Sequence, residues 1–427
     1  MQETMTMARP AAGDLRRTLH RVFGFSAFHS YQEQIIGAIL ERRDAFAVMP
    51  TGGGKSLCYQ LPAQLMDGTC LVISPLISLM KDQVDAAKAI GLKADFLNCT
   101  LSARERNEVM RRLKEGALRL LYVSPERFAM PDFLADLQSG PLSFIAIDEA
   151  HCISEWGHDF RPDYLKLCNI VQRFPHTPRA AFTATATLKV QADIIRKLQL
   201  RDPHTVRASF NRPNLYYQVI KKTSVEHQIL RFIRSRKRQQ GIVYRTRRSD
   251  VEDTAATLKQ YGVRALPYHA GMEDEMRTRH QELFDRGEAD VVVATIAFGM
   301  GIDKPNIRYV LHGDLPKNIE GYYQETGRAG RDGEPAHCLL FFGHSDTSTI
   351  RYFIGRMTDP RVREHASQCL QAMVQYGSSQ RCRRRQLLAY FGETYSERRC
   401  GMCDACRSWH MRRITPMKSK LTTTEHR

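Results

Sequence analysis

Apolar runs and amphipathic stretches alternate along the first half of the chain. Short runs rich in apolar and β-branched residues are typical of buried strands and occur at 45–49, 70–74, 118–123, 144–147 and 179–182. Stretches with apolar positions at helical spacing lie before the first strand, at 15–23 and 33–40, between strands, at 82–90 and 103–115, and after the last, at 188–198. Because strand and helix patterns take turns, the sequence predicts an α/β unit with a parallel, doubly wound sheet.

The same alternation restarts after residues 209–214, where Pro213 and two asparagines interrupt both neighbouring patterns. The second series predicts strands at 241–244, 264–268, 290–294 and 309–312, and helices at 251–261 and 275–286. Two further helices are predicted at 351–376 and 381–391. We therefore expect two similar α/β lobes joined by a short hinge, with a cleft between them.

The charge of the chain favours a polyanionic partner. Its 427 residues include 63 Lys and Arg against 46 Asp and Glu, a formal net charge of +17, and 42% are hydrophobic, which is enough for real cores. An anionic membrane surface would fit the charge as well, but the longest apolar run, 70–80, contains Ser and Pro and is too short to span a membrane. The first ten residues lack the apolar core of a secretory signal, so we expect an intracellular protein.

A glycine-rich loop follows the strand predicted at 45–49. It contains Thr51, Gly52, Gly53, Gly54, Lys55 and Ser56, and an apolar helix begins near Leu57. Glycines let successive backbone N–H groups wrap a phosphate, Lys55 can reach the outer phosphates, and Ser56 can bind magnesium. The strict pattern for such loops has Gly where this chain has Met49. The strand, loop and helix order still favours a nucleotide site over a plain glycine-rich turn.

An aromatic residue and a glutamine precede this loop. Phe25 could stack on adenine, and the Gln32 carboxamide offers both a donor and an acceptor to the base. A helix-capping corner with core aromatics is the alternative interpretation of the same residues.

A carboxylate pair follows the strand predicted at 144–147. With a phosphate loop upstream, Asp148 is suited to bind magnesium, directly or through water, and Glu149 to orient water on the γ-phosphate. Trp156, His158, Phe160 and Arg161 come next, and these residue types stack on bases and pair with phosphate. A buried acidic pair beside an ordinary aromatic corner is the alternative. The Thr-rich segment 182–187 could couple the carboxylates to a moving partner or simply cap the next helix.

Two arginines in the second lobe are suited to meet phosphate across the cleft. Gln324, Arg328 and Arg331 follow a helical start at Ile319, and we expect the two arginines, three residues apart, to share one helical face. An arginine that arrives only on closure would neutralise charge in the transition state, so hydrolysis would require the lobes to close. A solvated basic turn is the alternative.

Four of the eleven cysteines lie near the C-terminal end, at Cys382, Cys400, Cys403 and Cys406. Four thiolates suit a tetrahedral structural zinc ion, and the spacing of the last three is also typical of iron–sulfur ligation. Free reduced thiols are the third possibility. The remaining cysteines are expected to pack as small apolar groups.

Several motifs, in order, resemble one family. They are M-P-T-G-G-G-K-S, D-E-A-H, S-E-W-G-H-D-F-R-P, F-T-A-T-A-T, A-F-G-M-G-I-D-K-P-N and Q-E-T-G-R-A-G-R-D-G. The chain resembles a RecQ-family helicase of superfamily 2 from about Phe23 to Cys406. The resemblance implies an α/β protein with two RecA-like parallel-sheet lobes and a small helical zinc-binding module. The implied domains are 1–208 and 209–342 for the lobes, 343–408 for the module, and 409–427 for a basic, disordered tail.

The resemblance also assigns roles to residues. The implied ATP-binding residues are Phe25, His29, Gln32, Thr51, Gly52, Gly53, Gly54, Lys55, Ser56 and Asp303. The implied catalytic residues are Lys55, Asp148, Glu149, Gln324, Arg328 and Arg331, with Arg331 as the arginine finger and Ser56 and Asp148 as magnesium ligands. The implied DNA-coupling loop contains Ser154, Trp156, His158, Phe160 and Arg161. The family usually has Arg where this chain has His29, so weaker adenine affinity or an altered nucleotide choice is expected.

The resemblance implies an ATP-dependent 3′ to 5′ DNA helicase with ATP hydrolysis stimulated by single-stranded DNA and a role in recombination and repair. Expected cofactors are ATP, Mg²⁺ and structural Zn²⁺. Expected partners are single-stranded DNA and duplex junctions, with a single-strand-binding protein or repair proteins, and no membrane; the protein is expected to be a monomer in the nucleoid or cytoplasm of a bacterium or in a nucleus. Family members commonly continue into a winged-helix domain and often a small helical domain. Neither fits after Cys406, so we expect a short member or a fragment with weak duplex binding.

Two alternatives to a DNA helicase stay open at this point. One is an RNA helicase, against which the aromatic loop and the cysteine module argue. The other is a nucleic-acid annealing or scaffold protein with an inactive ATPase, which would need a broken site, although Lys55, Glu149 and Arg331 are all present.

Overall fold

A computed structural model describes residues 12–29, 31–75, 77–98, 100–157, 159–299 and 304–407. Two of the site residues expected from the sequence, His158 and Asp303, lie outside these ranges, as does the expected tail at 409–427. Within the described residues, no helix combines the length and the apolar character needed to cross a membrane.

The first lobe contains seven strands: β1 (Ala45–Val48), β2 (Thr69–Ile73), β3 (Ala94–Leu97), β4 (Leu120–Val123), β5 (Leu142–Ile147), β6 (Arg179–Thr183) and β7 (His204–Arg207). Its helices are α1 (Ala12–Phe23), α2 (Gln32–Leu40), α3 (Lys55–Leu65), α4 (Ile77–Ala89), α5 (Ala103–Lys114), α6 (Pro131–Gln138), α7 (Pro162–Leu165), α8 (Leu167–Arg173) and α9 (Leu188–Lys197), with 3₁₀ turns at Pro125–Ala129 and Ala150–Ile153. The strands pair in parallel in the order β3-β4-β2-β5-β6-β1-β7.

The second lobe contains six strands: β8 (Leu215–Lys221), β9 (Gly241–Tyr244), β10 (Ala265–Tyr268), β11 (Val291–Ala294), β12 (Tyr309–His312) and β13 (Ala336–Phe342). Its helices are α10 (Val225–Arg234), α11 (Arg248–Gln260), α12 (Asp274–Asp285) and α13 (Ile319–Thr326). This sheet is also parallel, in the order β10-β11-β9-β12-β13-β8. The two parallel sheets confirm the expected α/β class.

The central strands are buried on both faces because helices cover both sides of each sheet. In β2, Leu71 and Ile73 enter one apolar cluster, while Cys70 and Val72 enter another on the opposite face. Continuous apolar runs are what parallel sheets require. The same burial explains why these strands were predictable from the sequence.

A helical module follows the second sheet and consists of α14 (Asp346–Gly355), α15 (Pro360–Ser378) and α16 (Arg383–Tyr390). The prediction of one helix over 351–376 was wrong. Asp359 caps α15 by accepting hydrogen bonds from the backbone N–H groups of Arg361 and Val362, and Pro360 occupies the first helical position. Because Pro has no N–H and fits the start of a helix, the chain breaks there.

Candidate nucleotide site and cysteine cluster

The loop between β1 and α3 has the backbone that phosphate binding requires. Gly52 and Gly54 adopt φ values of 82° and 72°, which glycine reaches without strain. A Cβ built on Gly53 would lie 2.9 Å from the Pro50 carbonyl oxygen, so this position also has no room for a side chain. Lys55 is the first residue of α3, so the positive end of the helix faces the loop. The Lys55 Nζ donates to the Met49 carbonyl oxygen at 3.4 Å.

Gln32, at the start of α2, ties the preceding segment to this loop. Its side chain is 1% exposed, its Nε2 donates to the Gly54 carbonyl oxygen at 3.1 Å, and its Oε1 accepts from the His29 backbone N–H at 2.8 Å. Phe25 is 53% exposed and His29 is also exposed, so both rings are accessible. The structure therefore places these residues beside the phosphate loop, and an adenine contact stays a prediction.

The carboxylate pair lies at the carboxyl end of β5. Glu149 adopts φ 46° and ψ 45°, a left-handed conformation that a residue with a side chain adopts only under constraint and that is common at functional sites. The Glu149 backbone N–H donates to Asp148 Oδ1 at 2.9 Å. Burial and the neighbouring Glu149 raise the pKa of Asp148 from 3.8 to about 6, while Lys55 opposes the rise. Two crowded carboxyl groups beside the loop fit a divalent cation, which would relieve this repulsion.

A path of close polar contacts leads from Glu149 toward the second lobe. The Nδ1 of buried His151 lies 3.3 Å from Glu149 Oε2 and 2.9 Å from Thr183 Oγ1. The Thr183 hydroxyl in turn accepts from the Thr185 backbone N–H at 3.3 Å. The Gln324 Nε2, on α13, donates to Thr185 Oγ1 at 3.0 Å. The Thr-rich segment thus lies between the carboxylates and the second lobe, where coupling would need it, and Thr187 at its end also caps α9.

The turn after α13 meets the phosphate loop. A Cβ built on Gly52 would lie 3.5 Å from Arg331 Cγ, and one built on Gly327 would lie 3.7 Å from Thr51 Cβ. The lobes are therefore in contact at the site, and Arg331 lies against the loop as expected of an arginine that acts across the cleft.

The expectation that Arg328 and Arg331 share a helical face was wrong. Helix α13 ends at Thr326, and both arginines lie in the turns that follow. Arg328 is 8% exposed and its Nη1 donates to the Gly299 carbonyl oxygen within the second lobe. The two arginines therefore have different surroundings, and only Arg331 lies against the phosphate loop.

The aromatic loop is braced by lobe and module residues. Ser154 Oγ donates to Asp193 Oδ2 at 2.7 Å and accepts from the Trp156 backbone N–H at 3.3 Å. The Lys189 Nζ lies over the Trp156 ring, 3.0 Å from its centroid. The His365 ring of α15 packs edge-on against the Trp156 ring, with 5.5 Å between the ring centroids. Trp156 thus connects the first lobe to the helical module.

The neighbouring positions of that loop are also held by protein groups. Phe160 is half-buried, with the Lys197 Nζ 5.9 Å from its ring centroid. Arg161 donates to Asp159 Oδ2 at 3.2 and 3.1 Å and to the Pro75 carbonyl oxygen at 3.0 Å. Arg161 therefore orders the loop, and its contact with a DNA phosphate stays a prediction.

One crevice was missed from the sequence. A cavity of about 600 Å³ beyond the carboxyl end of β9 is lined by Thr246, Arg247, Ser348, Thr349, Tyr352 and Phe353. The side chains of Tyr352 and Phe353, on α14, are 61% and 56% exposed. Parallel sheets bind ligands outside the carboxyl ends of their strands, and the R-T-R-R run after β9 was the available signal.

The four C-terminal cysteines converge. Their Sγ atoms all lie within 4.8 Å of one another, with Cys400 and Cys406 at 4.0 Å and Cys382 and Cys403 at 4.0 Å. Zinc–thiolate bonds of about 2.3 Å give sulfur separations of about 3.8 Å in a tetrahedron. The cluster therefore fits one zinc ion, whereas a multi-iron cluster needs room between the thiolates for its own iron and sulfide atoms.

Comparison with known proteins identifies the family. Residues 29–194 match the DEAD/DEAH box helicase model, 221–333 the helicase conserved C-terminal domain, and 344–407 the RecQ zinc-binding model. The ATP-dependent DNA helicase RecQ of Pasteurella multocida is 47% identical over 388 residues, which cover 91% of this chain and 61% of the relative. The corresponding Bacillus subtilis protein is 43% identical over 390 residues, covering 91% of this chain and 66% of the relative.

The chain belongs to the RecQ family. It spans 61% and 66% of the lengths of these two curated RecQ relatives. Among solved structures, the helicase MrfA bound to DNA aligns with a TM-score of 0.65 at 18% identity, covering 82% of this chain and 54% of that one. The DEAD-box helicase Mss116 bound to single-stranded RNA aligns with a TM-score of 0.65 at 16% identity, covering 88% of both chains. These two structures share the RecA-like fold of the RecQ lobes, which confirms the expected architecture.

Proposed function

We propose that this RecQ-family protein is an ATP-dependent DNA helicase that moves 3′ to 5′ along one strand, with ATP hydrolysis stimulated by single-stranded DNA. The observation that carries the proposal is the contact of Arg331, from the second lobe, with the loop at Gly52 in the first. A nucleotide between the lobes would meet groups from both. The relatives named ATP-dependent DNA helicase RecQ support the same activity.

The phosphate loop would bind the triphosphate of ATP. Backbone N–H groups of 52–56 and the positive end of α3 attract the phosphates, and Lys55 would exchange its bond to the Met49 carbonyl for a phosphate oxygen. Gln32 and Phe25 would hold the adenine. Because His29 is exposed next to Gln32, it is the position where nucleotide choice would differ from relatives with Arg.

Ser56 and Asp148 would hold magnesium, which supplies charge neutralisation at the β- and γ-phosphates when bound. Glu149 orients the attacking water and accepts a proton from it. His151 positions the Glu149 carboxylate through its 3.3 Å contact. Arg331 stabilises the charge that develops on the γ-phosphate, so turnover requires the closed arrangement of the lobes.

Single-stranded DNA would lie across both lobes and the module. Trp156 and Phe160 offer aromatic rings beside Lys189 and Lys197, a combination suited to bases and phosphates. The crevice with Arg247 of the second lobe and Tyr352 and Phe353 of the module offers the same chemistry. Movement of the DNA strand would be transmitted from the aromatic loop with Trp156 and Phe160 through Thr185 to Gln324.

The other parts of the proposal follow from the family. Lobes at 1–208 and 209–342, a zinc module at 343–408 and a tail at 409–427 are the proposed domains. Zinc would be structural, because four thiolates leave no open coordination position. We propose a monomeric, intracellular protein that acts at single-stranded DNA and duplex junctions in recombination and repair, with repair or single-strand-binding partners.

Steady-state ATP hydrolysis with and without single-stranded DNA, at two salt concentrations, tests the proposal. We expect stimulation by DNA that weakens steeply with salt, with a log–log slope for binding of about −0.7 per neutralised phosphate. Glu149→Gln should abolish turnover and retain nucleotide binding. Equal stimulation by RNA would favour an RNA helicase, and nucleic-acid annealing without hydrolysis would favour a scaffold protein.

A further inference from the structure

An arginine in the segment between the lobes holds the turn that carries Arg331. Arg212 lies between β7 and β8. Its Nη1 donates to the carbonyl oxygen of Gly327 at 3.3 Å, and its Nη2 donates to those of Ala329 at 3.0 Å and Gly330 at 2.9 Å. These carbonyls belong to the turn between α13 and Arg331. A guanidinium has five N–H donors in a rigid fork, so one side chain can fix several carbonyls at once.

Asn214 holds the same turn from the other end of the segment. Its Nδ2 donates to the carbonyl oxygens of Gly330 at 2.8 Å and Glu334 at 2.9 Å. Gly330 has a φ of 55°, and a Cβ built on it would lie 2.5 Å from the Asn214 Nδ2. The turn therefore depends on glycine and on close contact with the segment. Its conformation is set by side chains outside α13.

The helical module in turn holds this segment. Arg384, in the first turn of α16, is 3% exposed. Its Nη1 donates to Asn211 Oδ1 at 2.6 Å and to the Arg212 carbonyl oxygen at 2.6 Å, and its Nη2 donates to the Leu215 carbonyl oxygen at 2.7 Å. The segment that the sequence indicated as a short hinge is thus held by Arg384 over 211–215.

The cysteine cluster fixes the first turn of α16. Cys382 precedes this helix directly. Next to it, Arg383 donates to the two carboxylate oxygens of Asp404 at 3.0 and 3.2 Å, and Asp404 lies between Cys403 and Cys406. An ion bound by the cysteines would therefore fix both Arg383, next to Cys382, and Asp404, next to Cys403. It would thereby also fix Arg384 in the first turn of α16.

We infer that Arg212 is a positioning residue for the arginine finger, and that the zinc module acts on ATP hydrolysis through Arg384 and Arg212. The inference rests on the proposed function, because it needs Arg331 to act on ATP. The module fixes the 211–214 segment, the segment fixes the 327–330 turn, and the turn aims Arg331 at the phosphate loop. Loss of this support would lower turnover and leave ATP binding in place, because the hydrogen bonds of Arg384 and Arg212 go to the 211–215 segment and the 327–330 turn and not to the phosphate loop.

The first test compares R212Q with R212K and with R119Q. Arg119 donates to the Met66 carbonyl oxygen at 2.6 Å in the first lobe, so R119Q removes a similar bond at a distance from the turn. In R212Q we expect kcat for DNA-stimulated ATP hydrolysis to fall about 100-fold, the size of effect that a misplaced catalytic group can cause. The KM for ATP and the affinity for single-stranded DNA should stay unchanged. R212K should fall between R212Q and wild type, and R119Q should match wild type.

The second test asks whether Arg212 acts through Arg331. In an R331A background, R212Q should lower kcat no further, and R212Q combined with R384Q should lose no more than R212Q alone. A merely destabilising role for Arg212 would reduce turnover in both backgrounds. Retained turnover in R212Q, or additive losses, would overturn the inference.

Hydrogen exchange gives a readout that does not depend on turnover. R384Q should speed amide exchange at 327–331, whereas R119Q should leave it unchanged, and unchanged exchange in R384Q would also overturn the inference. A wild-type protein without DNA-stimulated ATP hydrolysis would instead refute the proposed function. The two failures are therefore distinguishable.

Discussion

Alanine substitution of Arg331 and of Arg328 should affect two different properties of the protein. Both arginines lie in one motif, three residues apart, and the resemblance counts both as catalytic residues, with Arg331 as the arginine finger. In the structure, Arg331 is half-buried against the phosphate loop at Gly52, whereas Arg328 is 8% exposed and bonded to the Gly299 carbonyl oxygen. We therefore expect R331A to lose turnover and R328A to lose stability.

The expected magnitudes follow from these surroundings. An arginine that acts across a cleft contributes about 10³-fold or more to phosphoryl transfer, which is about 4 kcal/mol in the barrier. R331A should therefore lower kcat by about 10³-fold and change the free energy of unfolding less than R328A does. A hydrogen bond from a charged group contributes about 1.5–3 kcal/mol when buried, so R328A should lower the free energy of unfolding by that amount.

The assay is DNA-stimulated ATP hydrolysis paired with urea unfolding of each variant. R331K serves as a control for charge, because lysine keeps the positive charge and lacks the planar fork of donors. If R328A loses turnover as severely as R331A and unfolds at the same urea concentration as wild type, the separation of the two roles is wrong.

Three further predictions concern other parts of the molecule. Alanine at Trp156 and Phe160 should lower DNA-stimulated ATP hydrolysis, and unchanged turnover would mean that coupling does not run through this loop. C403S should lower the zinc content of the purified protein, measured by mass spectrometry, from one ion per chain, and an undiminished content would exclude the four-cysteine site. Arg236 donates to His337 Nε2 at 2.8 Å, and burial together with nearby guanidinium groups lowers the pKa of His337 from 6.5 to about 4. Because the folded state keeps this imidazole neutral, stability should be full above 6.5 and fall as the pH drops toward 4, and H337Q should remove that slope in urea unfolding.

Most of the buried strands were predictable because their apolar runs are continuous; β13, with an apolar run over 338–342, is the exception. Strands β3, β7, β8 and β13 were not predicted. Strands β7 and β8 lie at the edges of their sheets and are only partly buried, and neither has the continuous apolar run of a central strand. Pattern alone does not distinguish such strands from loops, since their pairing comes from residues far away in the chain.

The candidate site shows the same division. The 51–56 loop and the acidic pair after β5 could be located from the sequence, because each directly follows a strand that the apolar pattern predicts. The roles of Arg161, Arg212 and Arg328 could not, because each depends on carbonyl oxygens or carboxylates contributed by other elements. An arginine side chain has five N–H donors, and the sequence does not show which of them bond to other protein groups and which are left for a ligand.

The contacts between the lobes connect two residues of the second lobe to the same closing movement. Gln324 and Arg331 reach the first lobe from α13 and from the turn directly after it, and that turn is fixed to the 211–214 segment. A movement of α13 and its following turn away from the first lobe would break the 3.0 Å bond from Gln324 to Thr185 and withdraw Arg331 from the loop. Because Thr185 is connected through Thr183 and His151 to Glu149, closure would engage Glu149, proposed to orient water, together with Arg331, proposed to stabilise the transition state. Strand movement that opened the lobes would then stop hydrolysis at both residues in one step, which is the coupling a motor needs.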